Sequence, residues 1–125
     1  MDKKLFRILL FMKRRPGMSN EDFMQYYEEK HVPLALKYSA GLTAYKRRYI
    51  TPHAHFETGE CSELEFDVIT ELSFDDEKTY NNVLKYLATS PLADEVVEDE
   101  KNLFDRSSFR IATVTEFETD LSTSP

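Results

Sequence analysis

An α+β fold is predicted by three observations. Four short runs carry strand signatures, apolar or alternating in polarity and bounded by proline- or glycine-marked turns. Three segments place apolar residues at helical spacing, the first two behind capping residues. Their order along the chain is strand, helix, strand, strand, helix, helix, strand. The 125 residues are 41% hydrophobic and include seven Tyr and nine Phe, enough to bury one ordinary core. We place a single domain over residues 1–118 and a flexible polar tail, TDLSTSP, over 119–125.

The first strand is KLFRILLFMKRR, an apolar run closed by the turn signal RPG at 15–17. Ser19 then caps the backbone N–H of Asp22, and Glu21 and Asp22 set acids against the positive end of a helix dipole. That helix runs over 20–38, interrupted or bent near Pro33, and Gly41 supplies its stop. LTAYKRRYI alternates Tyr45, Arg47, Tyr49 with Ala44, Lys46, Arg48 and is the second strand. A polar loop, PHAHFETGECSE, leads to the third strand, LEFDVITELSF, over 64–74. DDEKTYNNVLKYLATS is a helix capped by Asp75 or Asp76, a further helix spans about 92–105, and SSFRIATVTEFE is the last strand.

This order is the ferredoxin-like βαββαβ arrangement with an extra helix before the last strand. Its four-stranded antiparallel sheet carries helices on one face and leaves the other bare. A bare apolar face is a standing association site, so we expect a homodimer through sheet faces, closing a dimeric α+β barrel.

Composition narrows the function. The net charge of −7 opposes phosphate backbones and anionic lipid heads, so neither nucleic acid nor membrane is an expected partner. LFRILLFM is too short and, with Arg7, too charged for a membrane span or a signal core. The lone Cys61 forms no internal disulfide, and a cytoplasmic protein is expected.

The chemistry-bearing candidates begin with His31. With Phe23 as zero and about 100° per residue, Tyr27, His31, Leu34 and Tyr38 all fall within about 80° of one another. His31 is thus on the inward stripe, and Pro33, lacking an N–H, opens the backbone beside it. On the later helix Glu100 lies within the apolar stripe and Asp99 at its edge, so each needs a partner: His31, Arg47, Arg106 or a tyrosine. A His31 pair with either carboxylate fixes the imidazole tautomer; a bond from Glu100 to Arg106 is the plainer alternative. Tyr27, Tyr45 and Asp67 are candidate ligand contacts, with Phe23 and Phe104 as apolar lining. His53 and His55 near Glu57, Glu60 and Cys61 match no structural zinc spacing, and we assign no metal.

Three separated segments then carry a resemblance. KRRPGMSNEDFMQYYEEKHVPLA, FDVITELSFDD and EDEKNLFDRSSFR, in this order and spacing, resemble the EthD family of the dimeric α+β barrel superfamily. The shared pattern includes Phe23, Tyr26, His31, Pro33 and Leu34, and the pair Asp99 and Glu100. The resemblance implies a homodimer with a pocket between sheet and helices, and relatives that work without a cofactor on aromatic polyketides and related small molecules. It leads us to expect a cofactor-independent acid–base enzyme of dehydratase, decarboxylase, cyclase or isomerase type, with a small hydrophobic molecule as substrate. His31, Asp99 and Glu100 would be its catalytic residues. A ligand-binding accessory protein and a cofactor-free monooxygenase are the alternatives.

Overall fold

The computed structural model describes residues 4–89 and 92–123. Ends of the predicted domain, tail and second helix that fall on 1–3, 90–91 and 124–125 lie outside these. The elements are β1 (Phe6–Arg14), α1 (Asn20–Tyr26), a π-helical turn (Tyr27–His31), α2 (Val32–Lys37), β2 (Ala44–Tyr49), β3 (Val68–Phe74), α3 (Glu77–Thr89), α4 (Asp94–Leu103) and β4 (Phe104–Thr113). A single 3₁₀ turn, Leu121–Thr123, follows.

All strand pairs are antiparallel and the order is β2-β3-β1-β4, the ferredoxin-like arrangement. The two central strands are the two most apolar runs. Ile8, Leu10 and Met12 of β1 stand opposite Leu72, Thr70 and Val68 of β3. Their side chains meet the helices in two clusters. One gathers Met12, Phe23, Tyr27, Val68, Leu103 and Phe104. The other gathers Ile8, Leu72 and Phe74 against Tyr80, Val83, Leu84 and Leu87 of α3.

The other sheet face carries no helix among the described residues. Leu9 faces Glu71 and Ala112 across it, and Phe11 faces Ile69 and Arg110. Glu71 takes Arg7 at 3.7 Å and Arg48 at 3.4 Å on this face. It therefore does not share the side of the sheet that Tyr45, opposite Leu72, presents to the helices.

Ser19 accepts from the Asp22 N–H at 3.1 Å, as its position before the acidic turn required. Asp76 does the same for Thr79 at 3.1 Å, starting α3. Gly41 has φ +81°, and a Cβ there would stand 2.7 Å from Thr79 Cγ2, so the chain turns tightly beneath α3.

Several boundaries differ from the sequence reading. The break expected near Pro33 in the first helix is the π turn at 27–31, just before it. The last strand, read over 107–118, spans Phe104–Thr113. The third strand starts at Val68, and residues 64–67 precede it as irregular backbone. The last helix ends at Leu103: Phe104 already has extended angles, φ −114° and ψ 156°, and opens β4. A helix whose C-terminus feeds directly into a strand leaves no loop for composition to flag.

Candidate active site

His31 owes its position to the π turn. The Val32 N–H reaches back five residues to the Tyr27 carbonyl, so this turn is wider than an α-helical one. Each residue in it rotates by less than the 100° of an α-helix, which keeps Tyr27 and His31 on one buried line. Pro33 follows as the second residue of α2, where a missing N–H costs little. The His31 ring is wedged edge-to-face between Tyr27, 4.8 Å between centroids, and Phe104, 5.4 Å.

Its Nδ1 stands 2.6 Å from Asp99 Oδ2, and both side chains are buried. An ionised carboxylate can only accept, so Nδ1 carries the proton and the lone pair of the neutral ring is left on Nε2. No side chain or carbonyl among the described residues bonds Nε2. Tyr26 packs against Asp99 and Asn102, and burial holds its phenol above the ordinary value.

His31 lines an open cleft of about 1050 Å³ between the sheet and helices α2, α3 and α4. The walls are mostly apolar: Leu10, Met12 and Phe109 from the sheet, Leu34 from α2, Val83 and Leu87 from α3, Val96 from α4. Polar groups enter at few points. Tyr27 and Tyr45 contribute phenols on the sheet side. The Tyr27 hydroxyl shares a 2.5 Å hydrogen bond with Thr70 Oγ1. Burial, then the nearby Tyr45, pushes the Tyr27 phenol well above its ordinary value, and burial raises Tyr45 too. Both remain protonated at neutral pH and can donate.

Tyr45 is held from behind. The Arg47 guanidinium lies 4.9 Å from its ring centroid and is itself clamped by Glu28, at 2.9 Å through Nε and 2.5 Å through Nη2. That clamp holds the Glu28 carboxyl below the ordinary range, and Glu28 also accepts from the Tyr49 hydroxyl at 2.5 Å.

Glu100 faces the cleft one residue beyond Asp99 and takes Arg106 Nε at 3.3 Å. Burial raises its pKa, with Arg106 and His31 opposing and Asp99 adding to the rise. It is thus Asp99 that pairs with the histidine, while Glu100 makes the plainer bond to Arg106.

The family model for the EthD domain matches residues 15–107. The chain belongs to the EthD family. An EthD-family protein from Bacillus halodurans C-125 superposes with a TM-score of 0.55 at 19% identity, over 90% of this chain and 99% of that one. The protein At3g17210 from Arabidopsis thaliana gives 0.53 at 13% identity, over 93% and 99%. A hydroxynitrile lyase from Passiflora edulis gives 0.50 at 14%, over 94% and 100%. At these identities the likeness is one of fold. No curated protein matches the sequence.

Within this EthD domain the predicted site residues separate. His31, Glu100, Tyr27, Tyr45 and Phe104 line the cleft, and Asp99 stands behind His31. Phe23 is buried in the core beneath them, edge-on to Tyr27 and Phe104, and does not reach the cleft. Asp67 is elsewhere: it accepts from the Arg14 backbone at 2.9 Å, from Arg14 Nη1 at 2.8 Å and from Lys13 at 3.4 Å. Those bonds tie the loop before β3 to β1. His53 and His55 are exposed, and the His55 ring accepts from the Glu57 and Thr58 N–H groups. Sequence reasoning missed Thr70, whose hydroxyl had no local signal, and the α3 wall, where Val83 and Leu87 carry only the helical spacing of a buried face and Asn82 no signal at all.

Proposed function

We propose that this EthD domain is an acid–base enzyme, of lyase or isomerase type, acting on a small hydrophobic substrate of aromatic or polyketide character. The observation that carries this is the His31–Asp99 pair, 2.6 Å apart and buried, on the wall of an apolar cleft. His31 Nε2 takes a proton from the carbon next to a carbonyl, and the C–H electron pair becomes the C=C bond of an enolate whose oxygen the Tyr45 hydroxyl meets. From a cyanohydrin it takes the hydroxyl proton, the O–H pair becomes the C=O bond, and the C–C bond to the nitrile breaks with its pair leaving on cyanide. Asp99 stabilises the imidazolium, which returns its proton to the leaving group or to another carbon. A hydroxynitrile lyase among proteins of the same fold is consistent with chemistry of this kind.

The domain works as a homodimer, in the cytoplasm, through the uncovered sheet face that bears Leu9, Phe11 and Ile69. No helix among the described residues is long and apolar enough to cross a membrane.

Two probe reactions test the reading: cleavage of mandelonitrile, and exchange of the α-hydrogens of 1-indanone for deuterium followed by NMR. The wild type accelerates at least one over buffer, and His31→Asn, folded by circular dichroism, loses about 10²-fold or more, the usual worth of a positioned general base. No acceleration by the wild type, or equal rates in His31→Asn, would overturn it and favour a ligand-binding protein.

A further inference from the structure

The register of β4 against β1 is interrupted. Lys13 pairs with Asp105 and Phe11 with Arg110, so residues 106–109 face Met12 alone. The extra residues fold over themselves in a bulge closed by side chains. Asp105 Oδ1 accepts from the Ser107 N–H at 3.1 Å and its hydroxyl at 2.5 Å. Ser108 donates to the Asp105 carbonyl at 2.6 Å and accepts from the Lys13 N–H at 3.1 Å. Bulges of this kind re-aim side chains, and here Arg106 and Ser107 both line the cleft.

Arg106 is the one Lys or Arg among the lining residues. Its Nε is taken by Glu100 at 3.3 Å, which fixes the plane of the guanidinium from one side. Its two Nη groups have no protein partner among the described residues, and the side chain is 45% exposed. An arginine used only to neutralise Glu100 would turn its fork to the carboxylate, as Arg47 does toward Glu28 with two short bonds. This one leaves both Nη groups unpaired by protein at the rim of a cleft with mostly apolar walls. The chain as a whole repels anions, with 16 basic against 23 acidic residues, so an acid entering this cleft needs a local cation.

We propose that Arg106, placed over the cleft by the β4 bulge, binds the carboxylate of a hydrophobic aromatic acid through its two Nη groups. The carboxylate sits at the cleft end lined by Arg106 and Ser107, and the apolar body extends over Phe104 and Phe109 toward Val83 and Leu87. The proposal deepens the acid–base reading, resting on it only in taking the same cleft as the substrate site. Arg106 is here a specificity-determining residue.

The test compares 2-naphthoate with 2-naphthamide, which match in shape and differ in charge, by isothermal titration calorimetry on the full chain. A charge-assisted pair exceeds a neutral one by about a kcal/mol or more, so the wild type binds the acid about tenfold more tightly than the amide. Arg106→Gln abolishes the preference and Arg106→Lys, a cation without the planar fork, retains part of it. The acid preference is read from binding alone and the proton-transfer reading from the rates of the probe reactions, which separates the two: turnover can fail while the acid preference stands, and the reverse. Equal affinity of the wild type for the two probes, binding of neither, or a preference that survives in Arg106→Gln would overturn it.

Discussion

Replacing Asp99 with asparagine probes the site most directly. The amide keeps the shape beside His31 Nδ1 but removes the negative charge 2.6 Å away. While the imidazole is neutral this exchanges one hydrogen bond for another. Once Nε2 takes a proton, the ring is cationic and the missing charge is felt. A charge-assisted bond exceeds a neutral one by about 1.4 kcal/mol, which sets the lower bound. A Coulomb attraction of about 4 kcal/mol for charge centres 4 Å apart, at the effective dielectric of a protein site, sets the upper. The expected loss in rate is therefore about 10- to 10³-fold, at a cost in stability much smaller than that of deleting the side chain. The assay is the deuterium exchange or cleavage rate at saturating probe, with urea unfolding as the control for folding. A variant that unfolds at the wild-type midpoint and retains more than half the rate would refute Asp99 as the group that stabilises the imidazolium.

Two further outcomes concern the frame around the site. Gly41→Ala combines a left-handed backbone with a contact of 2.7 Å to Thr79. It should cost about 2–4 kcal/mol, against about 1–2 for Gly17→Ala, whose φ of +84° is similar but whose Cβ would meet open space; equal shifts of the two urea midpoints would show that the contact relaxes freely. The second concerns acid. The Arg47 clamp lowers the Glu28 pKa below 4.5, so Glu28 contributes stability above its unfolded value, and this is lost as pH falls through the lowered folded one. Wild type should therefore exceed Glu28→Gln in urea midpoint at about pH 6, with the gap narrowing as the pH is taken below 4.5. The partial exposure of the pair keeps the gap modest, and a gap that widens in acid would contradict the sign.

The frame was legible because its signals are local. The alternation of β2, the Ser19 cap and the Gly41 stop each act on their own few residues, and the apolar run of β1 announces a buried central strand. His31 could be turned inward by helix arithmetic alone. The π turn that sets its depth could not be foreseen, since Pro33 marks a break without saying how the preceding turn is wound. The choice between Asp99 and Glu100 is likewise set between elements. Helical spacing puts Glu100 within the apolar stripe and Asp99 at its edge, and only the placement of α4 against the π turn gives Asp99 the histidine and Glu100 the cleft. Asp67 was misassigned because its row, with Ile69 and Glu71, was read as the inward side of β3, whereas Val68, Thr70 and Leu72 are the residues that meet the helices. The β4 bulge did leave a trace: Asp105, Ser107 and Ser108, all turn formers, interrupt a run otherwise suited to a strand.

The five-residue turn before α2 also makes the site a matter of chain length. Four residues wound as an α-helix turn through about 400°, close to what the five residues of the wider turn cover, so removing one residue from 27–31 would restore ordinary winding and leave Leu34, Ala35 and Tyr38 on the cleft wall. The change would fall on the short line from Tyr27 to His31. A single-codon deletion here would thus move the histidine against a standing wall, whereas the same deletion in the α-helical residues before it would swing everything that follows by about 100°.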